Sequence, residues 1–157
     1  MKFYLAGSIS PENRTLMVRL AQLLRRNKDY KVYCPWELKI ANAWDMDQDT
    51  WAQKVFIADY NAIVDCDIFI LITPGRESTS GSNFEEGLAY GLNKRIVVFQ
   101  ITDQPTSLMT YCAASNFYNC LRENIMDKFK AFLTELEYDM PAGLFNDDKG
   151  YCKTILT

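Results

Sequence analysis

The side chains best suited to chemistry in this chain are carboxylates, and Glu85 is the first of them. It lies in the stretch Ser80 to Leu92, Ser-Gly-Ser-Asn-Phe-Glu-Glu-Gly-Leu-Ala-Tyr-Gly-Leu. An apolar run, Ile68 to Thr73, and a polar loop, Pro74 to Thr79, precede it. Ser80 or Ser82 can cap a helix that begins near Asn83. Phe84, Leu88 and Leu92 recur every four residues and form its expected buried stripe. Glu85 then falls in the first turn, at the C-terminal edge of a sheet, where open α/β folds bind ligands. Gly81, Gly87, Ala89 and Gly91 would keep the helix slim enough for close backbone approach. An acid in a first turn can equally do no more than complement the helix dipole.

Two further acids are placed to join it. Asp59 interrupts a helical stretch, and Asp67 opens an apolar strand eight residues later. An acid before a strand is often a turn residue or a cap. In a parallel sheet, Tyr4, Asp59 and Glu85 could converge. A carboxylate nucleophile paired with a second acid is the logic of glycosidic-bond cleavage through a covalent sugar–enzyme intermediate. With a reference pKa of about 4.3, a Glu is expected to be ionised at neutral pH without a base.

That matters because the 157 residues include no histidine. Ser/His and Cys/His nucleophile pairs and His-based metal sites are thereby excluded. Acid–base or covalent work falls to carboxylates, Tyr, Lys or Cys. The five cysteines are odd in number and lack metal-ligand spacing, so reduced thiols and a cytoplasmic location are expected. No metal or other cofactor is expected. A formal charge of −3 argues against a general nucleic-acid or membrane-surface binder. No apolar run approaches the roughly 18 residues of a membrane span.

The elements that must position these acids follow in order. Lys2 to Ala6 reads as a strand and Gly7-Ser8 as a turn whose amides could cradle an anion. A helix follows, capped by Ser10 with Pro11 at its first position, and Leu16, Leu20, Leu23 and Leu24 are its stripe. Tyr30 to Cys34 is the second strand. Trp36 to Thr50 is a long polar–aromatic connection, in which Trp36 and Trp44 either plug the domain edge or stack on a flat ligand. A helix over Trp51 to Val64, strands at Ile68–Ile72, Ile96–Ile101 and Ser115–Tyr118, and helices at Thr106–Ala114 and Leu121–Tyr138 complete the alternation. One domain over residues 1–157 is expected: an α/β, flavodoxin-like, doubly wound sheet of five parallel strands in the order 2-1-3-4-5, with helices on both faces.

Several fragments, in this order and spacing, resemble the nucleoside 2-deoxyribosyltransferase family and its relatives, the deoxynucleoside 5′-monophosphate N-glycosidases. Tyr4-Leu5-Ala6-Gly7-Ser8 is similar to the family's first strand and loop, whose tyrosine orients the nucleophile. Asp59, eight residues before Asp67, matches the acid that meets the base or leaving group. Gly81-Ser82-Asn83-Phe84-Glu85-Glu86-Gly87 resembles the motif G-x-x-x-E-x-G, with Glu85 in the nucleophile's place. Leu108-Met109, followed by Asn116, resembles the segment one subunit lends to its neighbour's site.

The resemblance implies catalytic roles for Glu85, Asp59 and Tyr4. It implies substrate contacts for Gly7, Ser8, Trp36, Asp67, Thr79, Ser80, Gly81, Ser107, Met109 and Asn116. It implies small-molecule nucleosides, nucleotides and free nucleobases as partners. It also implies a dimer or higher homo-oligomer with Asn116 donated across the interface. Thr79 departs from the transferases, which carry Asp six residues before the nucleophile. A hydroxyl there, with Gly7-Ser8-Ile9 and Ser107, is more similar to the phosphate-binding positions of the hydrolases. The tail ending at Thr157 does not align with the transferases' base-contacting C-terminus. Transfer to a second base, hydrolysis of a 5′-monophosphate, and a non-catalytic nucleotide-binding module are the three readings the sequence supports.

Overall fold

Five parallel strands in the order β2-β1-β3-β4-β5 make one sheet. The strands are β1 (Lys2–Gly7), β2 (Lys31–Tyr33), β3 (Ile68–Thr73), β4 (Arg95–Gln100) and β5 (Asn116–Asn119). The computed structural model describes residues 1–75 and 79–138, so the expectations for the tail lie outside the described residues. The connecting helices are α1 (Pro11–Leu24), α2 (Gln48–Asp65), α3 (Ser80–Gly91), α4 (Leu108–Ala113) and α5 (Ile125–Glu137). This is the expected doubly wound architecture. Strand β3 is buried along its whole length, as a central parallel strand covered on both faces must be.

Alternation along the strands builds two cores. On one face Phe3, Leu5, Ile70, Val97 and Phe99 meet Met17, Leu20 and Leu24 of α1 and Phe129 and Phe132 of α5. On the other Tyr4, Ala6, Phe69, Leu71, Ile96 and Val98 meet Ile63 of α2 and Ala89 of α3. The second face carries the site.

Three expectations change in the two helices that flank the site, while α4 and α5 are shorter than expected, α5 beginning at Ile125. Helix α2 begins at Gln48, three residues earlier than expected. Asp47 caps it, with its Oδ1 accepting from the Thr50 amide at 2.9 Å and its Oδ2 from the Thr50 hydroxyl at 2.7 Å. A cap satisfies amides that would otherwise lack partners, which fixes the start. Helix α3 begins at Ser80 with Thr79 at the N-cap, not near Asn83. Glu85 is therefore its sixth residue and lies in the second turn, so helix-dipole complementation is not its reason for being there. The buried residues of α3 are Ser82, Glu86 and Ala89, while Phe84 is 61% exposed. The stripe is small and polar because α3 packs close to the sheet on one side and to α4 on another.

A close approach does occur at a glycine, but at Gly7. Its φ is +154°, and an added Cβ would lie 2.8 Å from the Ile72 carbonyl oxygen and 3.0 Å from Met17 Cε. Gly81, Gly87 and Gly91 face open space, so of the four small residues expected to allow close approach along α3 it is Ala89 that meets the core. Replacing Gly7 with Ala forces backbone apart at the junction of β1, β3 and α1. We expect Gly7→Ala to cost about 1–3 kcal/mol, read as a lower midpoint in thermal unfolding. An unchanged midpoint would contradict this account of the turn.

Candidate active site

Tyr4 and Glu85 are 81 residues apart in sequence and share a hydrogen bond. Tyr4 Oη donates to Glu85 Oε1 at 2.8 Å. Strand β1 supplies the tyrosine from the middle of the sheet, and its ring is fully buried. Its hydroxyl therefore needs a partner, and Glu85 is that partner. Burial, with the charges of Glu85 and Asp59, raises the Tyr4 phenol far above its ordinary range. It stays protonated and can only donate to Glu85.

Asp59 faces the same cleft from α2. Its Oδ1 accepts from Tyr33 Oη at 2.7 Å. The cleft holds about 280 Å³ and is lined by Trp51, Val55, Phe56, Asp59, Phe84 and Glu85 among others. Its walls are apolar apart from the two acids and a few polar edges. An aromatic-walled space with few polar groups suits a flat heterocycle joined to a sugar.

The low polarity of the cleft acts on the acids. Burial pushes Glu85 up from 4.5 to about 7, helped by the nearby Asp59, while the Tyr4 hydrogen bond opposes the rise. Burial also raises Asp59, against the Tyr33 hydrogen bond. The expectation that Glu85 is ionised at neutral pH without assistance is thus corrected. Desolvation penalises its charged form.

Glu86, the neighbouring acid, faces the other way. Its Oε2 accepts from the Thr110 hydroxyl of α4 at 2.7 Å, and it is 4% exposed. Successive helical residues point about 100° apart, so only Glu85 opens on the cleft with Asp59.

The nucleoside 2-deoxyribosyltransferase family model matches residues 3–154. The chain belongs to this family. Membership puts it among the enzymes that transfer or hydrolyse N-glycosidic bonds. Solved structures share the fold. A 2-deoxyribosyltransferase from Bacillus psychrosaccharolyticus superposes with a TM-score of 0.71 at 21% identity, over 91% of this chain and 98% of that one. A conserved protein from Enterococcus faecalis V583 gives 0.66 at 18% identity, over 84% and 98%. A CMP N-glycosidase from Clostridium botulinum gives 0.55 at 22% identity, over 89% and 100%. No curated protein matches the chain.

Of the residues that the resemblance to the nucleoside 2-deoxyribosyltransferases singled out, Tyr4, Asp59, Gly81 and Glu85 meet around one cleft. Thr79 and Ser80 stand at the start of α3, where the Thr79 and Ser82 hydroxyls lie 2.8 Å apart. Gly7 ends β1, and Ser8 just after it accepts from the Ser10 amide at 3.3 Å. Ser107 and Met109 line a separate cavity of about 330 Å³ between α3 and α4, with Asn83, Glu86 and Tyr90. Met109 is 81% exposed there.

Three candidates stand away from the cleft. Asn116 begins β5 and is fully buried. Its Oδ1 accepts from Arg95 at 2.9 Å, and its amide donates to Glu135 at 3.4 Å. A side chain enclosed at the N-terminal edge of the sheet has no surface to lend a neighbour. Asp67 sits at that same edge, where its Oδ2 accepts from the Lys2 amide at 2.7 Å, the turn role already open to it. Trp36 packs against the opposite core with Leu16, Tyr30 and Val32. Trp44, by contrast, is wholly exposed and lines a pocket with Met46, Gln48 and Trp51. Trp51 also lines the Glu85 cleft.

Tyr33, Trp51, Phe56 and Phe84 were not anticipated as site residues. The signal for Tyr33 was its place in β2, matching Tyr4 in β1. Among the described residues, no group of three or more His, Cys, Asp or Glu could hold a metal ion, and no helix is long and apolar enough to cross a membrane.

The raised Glu85 has a consequence for stability. Its folded value lies above its unfolded one, so the folded state holds the extra proton. That contribution is complete below about 4.5 and is lost as pH rises through about 7. Glu85→Gln has no charge to bury. We expect it to melt about 2–4 °C above the parent chain at pH 8, with the difference vanishing near pH 4.5. A melting difference that does not change with pH would contradict the desolvation argument.

Proposed function

We propose that the chain cleaves the N-glycosidic bond of a 2′-deoxynucleoside through a covalent deoxyribosyl ester on Glu85, and passes the sugar to a second nucleobase. The observation that carries this reading is the Tyr4–Glu85 hydrogen bond beside Asp59 in one apolar cleft. With Oε1 held by Tyr4, Glu85 Oε2 attacks C1′. The C1′–N bond breaks and its electron pair goes to the base, which takes a proton from Asp59. A nitrogen of the incoming base then attacks C1′ and gives its proton to the Asp59 carboxylate, while the ester bond breaks and restores the Glu85 carboxylate. The transition state resembles an oxocarbenium ion, and the adjacent carboxylate stabilises it. Phe56, Phe84 and Trp51 offer flat faces to the bases. The matching relative from Bacillus psychrosaccharolyticus, a 2-deoxyribosyltransferase, agrees with this reading.

A second reading is favoured by Thr79. A neutral hydroxyl at the start of the twelve-residue helix α3, with Ser80 beside it and Ser8 after β1, suits a 5′-phosphate better than a 5′-hydroxyl. Water would then replace the acceptor base, as the name of the Clostridium botulinum CMP N-glycosidase implies for that protein.

Self-association belongs to the same reading. Of the eighteen residues of α2 only Ile63 is buried, and Phe56, Ile57, Tyr60 and Val64 are exposed along it. Together with Phe84 of α3 they form an apolar face of a kind monomers rarely leave in water. A second copy on this face would close the Glu85 cleft to solvent. Exposed Met109, rather than Asn116, is the side chain free to reach a neighbour.

Incubation of deoxyinosine or its monophosphate with adenine separates the readings by chromatography of the products. Transfer predicts deoxyadenosine. Hydrolysis predicts free sugar phosphate, released only from the monophosphate. Either way, Glu85→Ala should lose about 10³-fold or more in kcat; near-full activity in that variant would exclude both. A binding module would take up nucleotide without turning it over. Light scattering after gel filtration is expected to give a dimer or larger assembly, and an active monomer would refute the interface.

A further inference from the structure

Strands β1 and β2 begin alike, Lys2-Phe3-Tyr4 and Lys31-Val32-Tyr33, and they pair in that register. Tyr4 and Tyr33 are therefore direct neighbours on one face of the sheet. Their rings stack at 5.3 Å with planes 25° apart, and Phe69 stacks on Tyr4 at 5.2 Å. Each phenol then reaches a different helix. Tyr4 donates to Glu85 of α3 at 2.8 Å, and Tyr33 donates to Asp59 of α2 at 2.7 Å. One phenol is assigned to each acid.

We propose that Tyr33 positions Asp59 as Tyr4 positions Glu85, and that the two acids work as a pair holding one proton and one negative charge, the charge passing from Glu85 to Asp59 as the glycosidic bond breaks. This rests on the covalent reading above and adds the partner that makes it possible. Each phenol takes one oxygen, Oε1 of Glu85 and Oδ1 of Asp59, and leaves the other for the substrate. In the glycosylation step Glu85 Oε2 bonds to C1′ and becomes a neutral ester. The departing base takes the proton from Asp59, which becomes the carboxylate. The pair carries one negative charge before and after, and each charged form has its own phenol donor. A hydrogen bond to an ionised group is among the strongest in a protein.

The surroundings agree with a single charge. The groups facing the pair are Tyr4 of β1, Tyr33 of β2, Tyr60 of α2, and the two acids themselves. No Lys or Arg among the described residues bears on either acid. Two carboxylates in an apolar cleft without a cation do not readily ionise together. At rest the shared proton favours Glu85, the more strongly raised acid, and Tyr33 supports the charge on Asp59. A base docked against Asp59 strips water from that charge and draws the proton across. The nucleophile is thus released when the leaving group is in place.

The test is the pH dependence of kcat/KM with a 2′-deoxynucleoside for the parent chain, Tyr4→Phe and Tyr33→Phe. The parent should give a bell, because only the singly protonated pair is competent. Its upper limb should fall near 7. Loss of a donor from a carboxylate raises that acid's pKa. Tyr4→Phe should therefore move the upper limb, and Tyr33→Phe the lower limb, each upward by about 1 pH unit. A Tyr33→Phe profile that is lower in height with both limbs fixed would overturn the proposal and make Tyr33 a packing residue only. That result would leave the Tyr4→Phe shift and the Glu85→Ala loss intact, so the covalent reading would survive it. If Tyr33→Phe does not fold, Asp59→Asn carries the test. Its bell should become a single rise to a plateau, and a bell retained in that variant would overturn the pair.

Discussion

A carboxylate has to be charged to attack carbon, and this fold holds its carboxylate where charge is disfavoured. The contact between Tyr4 and Glu85 stands between these two demands. Burial of the cleft pushes Glu85 up to about 7, and the Tyr4 hydroxyl pulls it back. In water the same Glu would be charged but poorly nucleophilic, because solvent would hold its lone pairs. In a dry pocket with no donor it would stay neutral. One phenol on a buried ring gives the middle course, and much of the architecture serves to deliver it.

Delivery depends on the parallel sheet. Tyr4 lies at a position of β1 flanked by β2 and β3, so stacking against Tyr33 and Phe69 fixes its ring. Helices α2 and α3 cover the same face and bring Asp59 and Glu85 to the two phenols. Neither helix is anchored by a large apolar stripe. Helix α3 presents Ser82, Glu86 and Ala89 inward, and α2 presents Ile63. Large apolar side chains that would ordinarily face the core, Phe56 and Phe84, instead line the cleft and its rim. Stability is given up on this flank, while the opposite face, with α1 and α5, holds the larger continuous core.

The sheet order and the element sequence were legible because long apolar runs alternate with helical periods, and parallel pairing leaves little choice of topology. The convergence of Glu85, Asp59 and Tyr4 was legible because residue type, order and spacing agreed. The start of α3 was not, because Thr79, Ser80 and Ser82 are all acceptable caps and only packing selects among them. The role of Phe84 was lost for a related reason: a four-residue period marks one face of a helix without saying whether core or ligand meets it. The surroundings of Asn116 were not legible, because a polar residue at a strand's start gives no sign of the Arg95 and Glu135 partners that bury it. Tyr33 escaped because its meaning is in the register between two strands, which no single segment carries.

The central claim is a bond between Glu85 and an anomeric carbon, and trapping it is the most direct measurement. A 2-fluorinated nucleoside slows both steps by destabilising positive charge at C1′, so the ester accumulates if breakdown is slowed more than formation. Peptide mass spectrometry of the quenched enzyme should then find one sugar, carried by the peptide that contains Glu85. A sugar on any other residue, or base release without an adduct under conditions that hold the ester, would contradict the account.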